Sequence, residues 1–526
     1  METAKEDQQQ ENTGWFRRFE FVPGVLAWGT LLGAVVCSRL VPAWTALFIV
    51  AFDVYWFLKT VYLSLHLRVA FRQMRRNLGV NWRERVQNTA PEAWKGVYHL
   101  VILPMYQEPY ELVRETFLSL KNANYPKDRL IVVLACEGRA PEGIGIGARI
   151  VREFQGEFFR TIVTVHPAGL PGEVPGKGSN ETWAAKEVKE KIIDPSGIPY
   201  RNILVSVFDV DTQVLPEYFG ILTHSFLTCP FPQRSSFQPV PLFTNNIYQT
   251  PALGRVISFS STFWHMIQQA RPERVTTFSS HAMPFAALVE IGFWNTNVVS
   301  EDSQIFWQCY LYYHGDWRVV PILYPVSMDA NVAPTFWQTM GNIYRQQRRW
   351  AWGGCENIPY FLEGFRRDKK LPFRKKLYWA FHYIEGFHSW ATNSIIIFVL
   401  GWLPVLIGGS EFNVSVLSYN LPRITRSIMS FAMVGIVSSA ILSIILLPPK
   451  PAWFKKRHYV LYFLQWVFMP ITMIVFGAIP ALEAQTRVML GGNYRLGFWV
   501  TPKFRTQDIA LLEEGQKSES QKSIKS

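Results

Sequence analysis

Cysteine is scarce in this sequence: five in 526 residues, at Cys37, Cys136, Cys229, Cys309 and Cys355. No two stand at a CxxC or zinc-finger spacing, and the count is odd. This argues against a disulfide scaffold and for a reducing, cytosolic setting for any soluble part. Acidic residues are the minority charge, 40 against 53 Lys and Arg, for a formal net charge of +13. A basic balance suits nucleic acid, anionic lipid or an anionic substrate. No helix-turn-helix, zinc or RRM signature accompanies it, so no nucleic-acid partner is expected. Residues Met1–Gly14 lack the basic-then-apolar layout of a cleaved signal peptide and read as a polar, disordered tail, as does the segment after Leu512. Between Arg68 and Lys376 there is no apolar run of membrane length. That stretch is the candidate soluble domain.

Long apolar runs lie on either side of it. Phe21–Cys37 is uncharged, and after Ser38-Arg39 a second run, Leu40–Leu58, is interrupted only by Asp53. Together they predict a transmembrane hairpin. Arg17 and Arg18 before it, and Arg68, Arg72, Arg75 and Arg76 after it, place both flanks on the cytosolic side. Ser389–Ser410, Ser427–Pro449 and Tyr459–Leu482 are each long enough to cross about 30 Å of hydrocarbon. A buried core helix is the plain alternative for any one of them. Three crossings would leave the C-terminus outside, yet Lys450, Lys455, Lys456 and Arg457, and then Arg487, Arg495, Lys503 and Arg505, read as cytosolic. One run need not span. Tyr459–Leu482, with Pro470 and Pro480, is the candidate for a re-entrant or interfacial segment.

Inside the soluble stretch, continuous runs such as Tyr98–Leu103 and Leu130–Leu134 alternate with amphipathic stretches such as Glu108–Ala123. Strands buried on both faces between helices mark a parallel α/β sheet.

Three constellations carry chemistry. Asp209-Val210-Asp211 follows the β-forming run Asn202–Phe208. On an extended chain the i, i+2 spacing puts both carboxylates on one side, where they can hold a divalent cation on a diphosphate. A solvated turn is the dull alternative. Ser300-Glu301-Asp302 precedes the amphipathic run Ile305–Tyr313. Its carboxylates can take a proton, or can merely cap a helix. In Gln346-Gln347-Arg348-Arg349-Trp350, helical spacing puts Gln346, Arg349 and Trp350 on one face. A guanidinium can brace a diphosphate and an indole can stack on a sugar ring. The alternative is an interfacial helix with Arg and Trp at lipid headgroups. Lys177-Gly178-Ser179-Asn180 follows the Gly/Pro-rich stretch Pro167–Gly176, where Lys177 is either a diphosphate contact or an ordinary surface lysine.

Taken in order, these residues resemble family 2 glycosyltransferases of the GT-A fold, and within them the membrane-embedded cellulose synthase and hyaluronan synthase group. Val101–Glu108 resembles the first strand and its Pro-x-Tyr-x-Glu nucleotide loop. Val132–Gly138 is similar to the second strand with its Asp-Asp-Gly, and Lys177–Asn180 to Lys-Ala-Gly-Asn. Asp209–Asp211, Ser300–Asp302 and Gln346–Trp350 match Asp-x-Asp, Thr-Glu-Asp and Gln-x-x-Arg-Trp. Phe498–Lys503 resembles the Phe-x-Val-Thr-x-Lys gating loop. There are departures. Cys136-Glu137 replaces Asp-Asp, Phe278-Ser279-Ser280-His281-Ala282 replaces Phe-Cys-Gly-Ser/Thr-Asn-Ala, and the Arg-Arg that follows it in the family is missing.

The resemblance implies a GT-A domain with a Rossmann-like, mostly parallel sheet, inserted between transmembrane helices of a multi-pass protein. Its expected divisions are a disordered N-terminus (1–20), a hairpin (21–65), the cytosolic catalytic domain (68–340) and interfacial helices (341–386). A second membrane region (387–482), an interfacial helix with the gating-like loop (483–510) and a disordered tail (511–526) follow. The expected activity is inverting hexosyl transfer. Asp302 is the general base with Glu301 beside it, and Asp211 and Asp209 hold Mg²⁺ or Mn²⁺. Pro104, Tyr106, Glu108, Glu137, Lys177, Asp209, Arg349, Thr501 and Lys503 bind the nucleotide-sugar, a UDP-sugar being favoured. Gln346 and Trp350 bind the acceptor, a growing polysaccharide or a lipid-linked one. The leading expectation is processive synthesis coupled to export. The alternatives are single transfer to a lipid, as in ceramide glucosyltransferase, and a transporter or receptor with a degenerate domain. The location implied is a plasma or inner membrane, or an endomembrane in a eukaryote, with the catalytic domain cytosolic.

Overall fold

The computed structural model describes residues 14–497, 499–502 and 504. Eight strands form one mixed sheet: β1 Tyr98–Met105, β2 Leu130–Glu137, β3 Arg160–His166, β4 Ile203–Val207, β5 Gln213–Val214, β6 Ser235–Phe243, β7 Ala282–Pro284 and β8 Arg318–Met328. Their order is β3-β2-β1-β4-β7-β6-β8-β5. The half β3-β2-β1-β4 is parallel throughout. There, alternate side chains feed two cores. Leu100, Ile102, Ile131, Val133 and Val205 enter one; Val101, Leu103, Val132, Leu134 and Leu204 enter the other. All are fully buried, and each contributes roughly 1.5–3 kcal/mol. That two-sided burial is what produces uninterrupted aliphatic runs.

The sheet is mostly parallel, as expected, and the other half makes it mixed through two short antiparallel strands. β7 runs antiparallel to β4 and β6, and β5 antiparallel to β8. These strands have three and two residues, too short to form a run. β6 and β8 are parallel but carry Pro239, Pro241, Pro321 and Pro325. Proline gives the ladder no donor, and the register shifts between Gln238 and Val240. Gln269 fills the gap: its Nε2 donates to Pro239 O (2.5 Å) and its Oε1 accepts from Leu323 N (3.1 Å).

The helices that position the candidate site are α1 Gly14–Leu40, α2 Pro42–Leu78, α3 Lys177–Val188, α4 Ala252–Gln269, α5 Glu301–Tyr312, α6 Phe336–Arg367, α7 Phe373–Phe398, α8 Val416–Ile445 and α9 Ile479–Leu490. α6 opens with a reciprocal capping box between Thr335 and Gln338. Two glycines then let it press into its neighbours. A Cβ at Gly353 would lie 2.0 Å from Ser300 Oγ, and one at Gly354 1.8 Å from the Phe387 ring.

Four helical stretches are long and apolar enough to cross a membrane: α1, α2, α8 and Lys456–Leu490. α7 with Leu400–Ile407 makes a fifth candidate, bent by 46°. The turn between α1 and α2 falls at Val41 rather than at Ser38-Arg39, because Pro42 starts the second helix. That turn lies against the Gly408-Gly409 turn, with Pro42 Cβ 2.8 Å from a Cβ placed at Gly408. At the opposite end of α8, Pro448 O accepts from Tyr248 Oη of the sheet domain (2.7 Å). Lys456–Leu490 passes the length test and touches the sheet domain and α6 at several points. Gln465 Oε1 accepts from Arg255 Nε (2.7 Å), and Trp466 stacks on Phe263. Phe476 packs on Met340 and Ile343, and Glu483 accepts from Tyr344 Oη (2.8 Å) and pairs with Arg348 (2.6 Å). α9 ends on Arg17, whose guanidinium donates to the carbonyls of Val488, Met489 and Leu490, a cation at a helix C-terminus. 3-10 and π-helical turns interrupt the stretch on either side of Met469–Met473.

Candidate functional site

The carboxyl ends of β1, β2 and β4 meet where strand order reverses, the usual ligand crevice of an open α/β sheet. β4 stops at Val207, and Asp209–Asp211 is not extended. Thr212 N–H closes a turn on Asp209 O (2.8 Å), so the spacing argument for an extended chain does not apply here. Asp209 stays half-exposed and takes Ser279 Oγ–H (3.1 Å) and Lys177 Nζ (3.1 Å). Asp211 is fully buried and accepts from Asp329 N–H (3.0 Å).

Lys177 opens α3. The first turn of α3 is anchored by Asn180 Nδ2 on Ala135 O (2.7 Å) and Thr182 Oγ1 on Trp294 O (2.9 Å). Gly178 lets α3 meet α5, since a Cβ there would sit 2.9 Å from Glu301 Cβ. Lys177 therefore reaches Asp209, Glu181 (3.4 Å) and Glu301 (3.5 Å) together. Burial opposes its charge, but Asp209, Glu181, Glu301 and Asp302 outweigh that and hold its pKa well above the ordinary value. The carboxylates respond in kind. Burial pushes Glu301 up to about 7, with Lys177 opposing and Asp302 adding. Burial also raises Asp302, Lys177 and Arg349 pull it back, and Asp209 adds to the rise. Glu181, without solvent exposure, is raised well above the usual range by burial, against Lys177. His281 is driven down to about 3, first by burial and then by Lys177, so its imidazole is neutral.

Arg349 lies within electrostatic reach of both Glu301 and Asp302, because Gly353, one turn on, seats α6 against Ser300. Beside it is a cleft lined by Phe243, Ser258, Asp329, Asn331, Gln346 and Trp350, among others. Trp350 and Phe243 rings lie 5.9 Å apart. Both amide atoms of Asn331 and the Nε2 of Gln347 are buried there with no hydrogen-bond partner among the described residues. Buried orphan amides cost about 1–3 kcal/mol each until water or a ligand satisfies them. An aromatic floor with unsatisfied amides suits a sugar.

The remaining expected residues have contacts of their own. Glu108 closes its own loop by accepting Tyr106 N–H (2.7 Å), and Pro104 is half-buried on β1. Glu137 is paired with Arg139 (3.2 Å), whose guanidinium lies over the Tyr106 ring. Trp499 packs on Arg345, and Thr501 is buried with its hydroxyl unpartnered among the described residues. Lys503 and Phe498 lie outside the described residues. Gly491 and Gly492 upstream adopt φ of +65° and +53°, which glycine alone takes readily.

Sequence reasoning missed Glu181, Asp329, Asn331, Gln347, Asn245 and Ser279. Gln347 lies inside the Gln346–Trp350 block and Ser279 inside Phe278–Ala282, where no role was assigned to them; the other four sit in no motif. Asn245 joins two of the acids, its Nδ2 donating to Asp211 O (3.1 Å) and Asp329 Oδ1 (3.0 Å). Among the described residues no group of three or more His, Cys, Asp or Glu side chains is arranged to hold a metal. The hard-oxygen pair Asp209 and Asp211 fits a Mg²⁺ or Mn²⁺ ion that completes its shell with phosphate oxygens, since Mg²⁺ commonly takes only one or two protein carboxylates.

No family model matches the chain. Over 218 residues it is 24% identical to the poly-beta-1,6-N-acetyl-D-glucosamine synthase of Staphylococcus epidermidis, covering 41% of this chain and 47% of that protein. The synthase of the same name from Staphylococcus aureus strain COL is 30% identical over 88 residues, 16% of this chain and 19% of that one. The chain thus spans less than half the length of these curated relatives. Among solved structures, the mannosyltransferase PcManGT from Pyrobaculum calidifontis, in complex with GDP-Man and Mn²⁺, superimposes with a TM-score of 0.41 at 14% identity, covering 75% of this chain and 99% of that one. S. aureus TarS 1-349 with UDP-GlcNAc gives a TM-score of 0.30 at 14% identity, covering 64% and 90%. Superpositions this loose carry no conclusion about the site.

Proposed function

We propose that the protein is a membrane-embedded, inverting family 2 glycosyltransferase that moves a sugar from a nucleotide-sugar to a growing β-linked polysaccharide. The observation that carries this reading is the meeting of Lys177, Asp209, Glu301, Asp302 and Arg349 beside a cleft floored by Trp350. The partial likeness to poly-beta-1,6-N-acetyl-D-glucosamine synthases favours a UDP-linked hexosamine as donor and a polymer as product.

In this reading the diphosphate lies over Asp209 and Lys177, with Arg349 facing its leaving side. Asp209 and Asp211 would hold a Mg²⁺ or Mn²⁺ ion accompanying the donor, which would supply charge screening for the departing diphosphate. The acceptor sugar stacks on Trp350 and satisfies Gln346, Gln347 and Asn331. Asp302 takes the proton of the attacking hydroxyl, whose oxygen forms the new bond at the anomeric carbon. The old bond to the diphosphate breaks with its electrons leaving on the phosphate oxygen. The raised pKa of Asp302 suits this task, since a base works best when its pKa lies near the working pH. Lys177 and Arg349 stabilise the charge that appears on the leaving group. Thr501 and Lys503 would close over the bound donor and exclude water.

The proposed topology has four crossings: α1 and α2, then α7 with Leu400–Ile407, then α8. Lys456–Leu490 lies along the cytosolic interface. This leaves two crossings after the catalytic domain and keeps Gly491 on the domain's side, in line with the contacts that stretch makes with α4 and α6. Incubating the purified protein with a panel of UDP- and GDP-sugars and Mg²⁺ or Mn²⁺, then sizing the product, tests the function. A ladder of β-linked oligomers supports it. A single sugar on a lipid would replace the polymer reading with the lipid-acceptor one, and no product from any donor would overturn both.

A further inference from the structure

β3 ends in a histidine that no motif accounts for. His166 is 4% exposed, and it stands between two carboxylates. Its Nδ1 lies 3.6 Å from Glu137 Oε2, and its Nε2 is 2.8 Å from Glu173 Oε2. Glu137 closes β2 at the nucleotide rim, and Cys136 and Glu137 pair in register with Val165 and His166. Glu173 belongs to the Gly/Pro-rich connection that leads into Lys177, and the next residue bonds outward, Val174 N–H to Thr296 O (2.8 Å). The imidazole therefore joins the two walls of the proposed donor pocket, the strand end at the base and the connection that delivers Lys177 to the diphosphate.

We infer that His166 is a positioning residue for the nucleotide: as an imidazolium it bridges Glu137 and Glu173, fixing the base-facing carboxylate and the Lys177 connection in one arrangement. This deepens the nucleotide-sugar reading and rests on it. The reason is the donor count. An imidazolium donates from both nitrogens, and neutral imidazole from only one. Nε2 is bonded to Glu173, while Nδ1 stands at ion-pair distance from Glu137 with no hydrogen-bond partner among the described residues; when His166 loses its proton the pairing with Glu137 is lost, and two carboxylates face each other across a neutral ring. The groups facing the imidazole are Glu137 on β2, Arg139 just beyond it, Glu173 on the connection and the Trp183 indole of α3 (6.0 Å, edge-on). Burial opposes the imidazolium, but the hydrogen bonds and charges of Glu137 and Glu173 prevail, so its pKa lies above the ordinary value of 6.5. The sign follows. The bridge is complete below that raised pKa and is lost as pH climbs through it. A base whose imino N–H flanks a carbonyl, uracil or guanine, suits an ionised Glu137 with Arg139 beside it.

The test is the affinity of the full-length protein for UDP and, separately, GDP with Mg²⁺, by calorimetry without acceptor, across pH. In the wild type the better-bound nucleotide should weaken about five- to tenfold as His166 deprotonates. His166→Gln should flatten the profile, as should Glu173→Gln, which leaves the β3 core untouched should the first variant fold poorly. The nucleotide's own phosphate titration is common to all three proteins and cancels in the ratio of wild type to variant. A ratio that does not change with pH overturns the inference while leaving the nucleotide site standing. Failure of both nucleotides to bind overturns the site reading and the inference with it.

Discussion

At the scale of single residues, the account turns on which carboxylate takes the proton. Four acids surround Lys177, and they differ in burial and access. Glu181 and Glu301 are enclosed, Asp209 is bound to Lys177 and Ser279, and Asp302 is half-exposed with Arg349 in reach. Asp302→Asn should lower transfer by about 10²-fold or more with nucleotide affinity unchanged, because the base goes and the diphosphate contacts stay. Steady-state rates and calorimetry on the same preparation check this. Asn331→Ala gives the complementary test. It removes buried amide atoms that have no hydrogen-bond partner among the described residues, so thermal stability should hold while the acceptor KM rises about tenfold. Donor hydrolysis should not change. Asp209, Asp302 and Arg349 are legible in the sequence because each sits in a short pattern with a chemical reason. Glu181, Asp329 and Asn331 are not, since a lone acid in a helix or a lone amide after a strand carries no local signal. Only the fold brings them to the cleft.

At the scale of elements, the site depends on close approaches that glycine permits. α6 offers an internal comparison. Gly353→Ala would drive a Cβ to 2.0 Å from Ser300 Oγ. It should cost about 1–3 kcal/mol by overpacking and lower transfer by pushing Arg349 away from Asp302. Gly341→Ala, on the same helix with nothing within 4 Å, should instead stabilise by about 0.5–1 kcal/mol with activity unchanged. Thermal melts and turnover on both variants decide it. β1, β2 and β4 are readable because burial on both faces writes a continuous aliphatic run. β6 and β8 are hidden by Pro239, Pro241, Pro321 and Pro325, which argue locally against a strand and are tolerated here through a register shift and the Gln269 bridge. The turn at Asp209–Asp211 departs from the extended chain expected there, because the residue pattern does not reveal where pairing stops.

At the scale of the whole molecule, hydropathy locates the apolar stretches but not their paths. Lys456–Leu490 is apolar enough to cross, and only its contacts with α4, α6 and Arg17 argue that it lies beside the sheet domain. A cysteine at Tyr494, exposed just past Leu490, should be labelled by an impermeant thiol reagent only from the cytosolic side, and one at Ser410 only from the opposite side. Labelling of position 494 from outside would restore a fifth crossing and remove the gating-like segment from the donor. The central claim is that this chain cleaves a nucleotide-sugar at the Lys177–Asp302 cluster and delivers the sugar across the Trp350 cleft. Its most direct test is the release of nucleoside diphosphate from UDP-N-acetylglucosamine and parallel UDP- and GDP-sugars, with Mg²⁺ or Mn²⁺, comparing wild type with Asp302→Asn. The account predicts release coupled to β-linked product in the wild type and its near-complete loss in the variant while the nucleotide still binds. Equal release by both proteins, or none from any donor by a folded wild type, would contradict it.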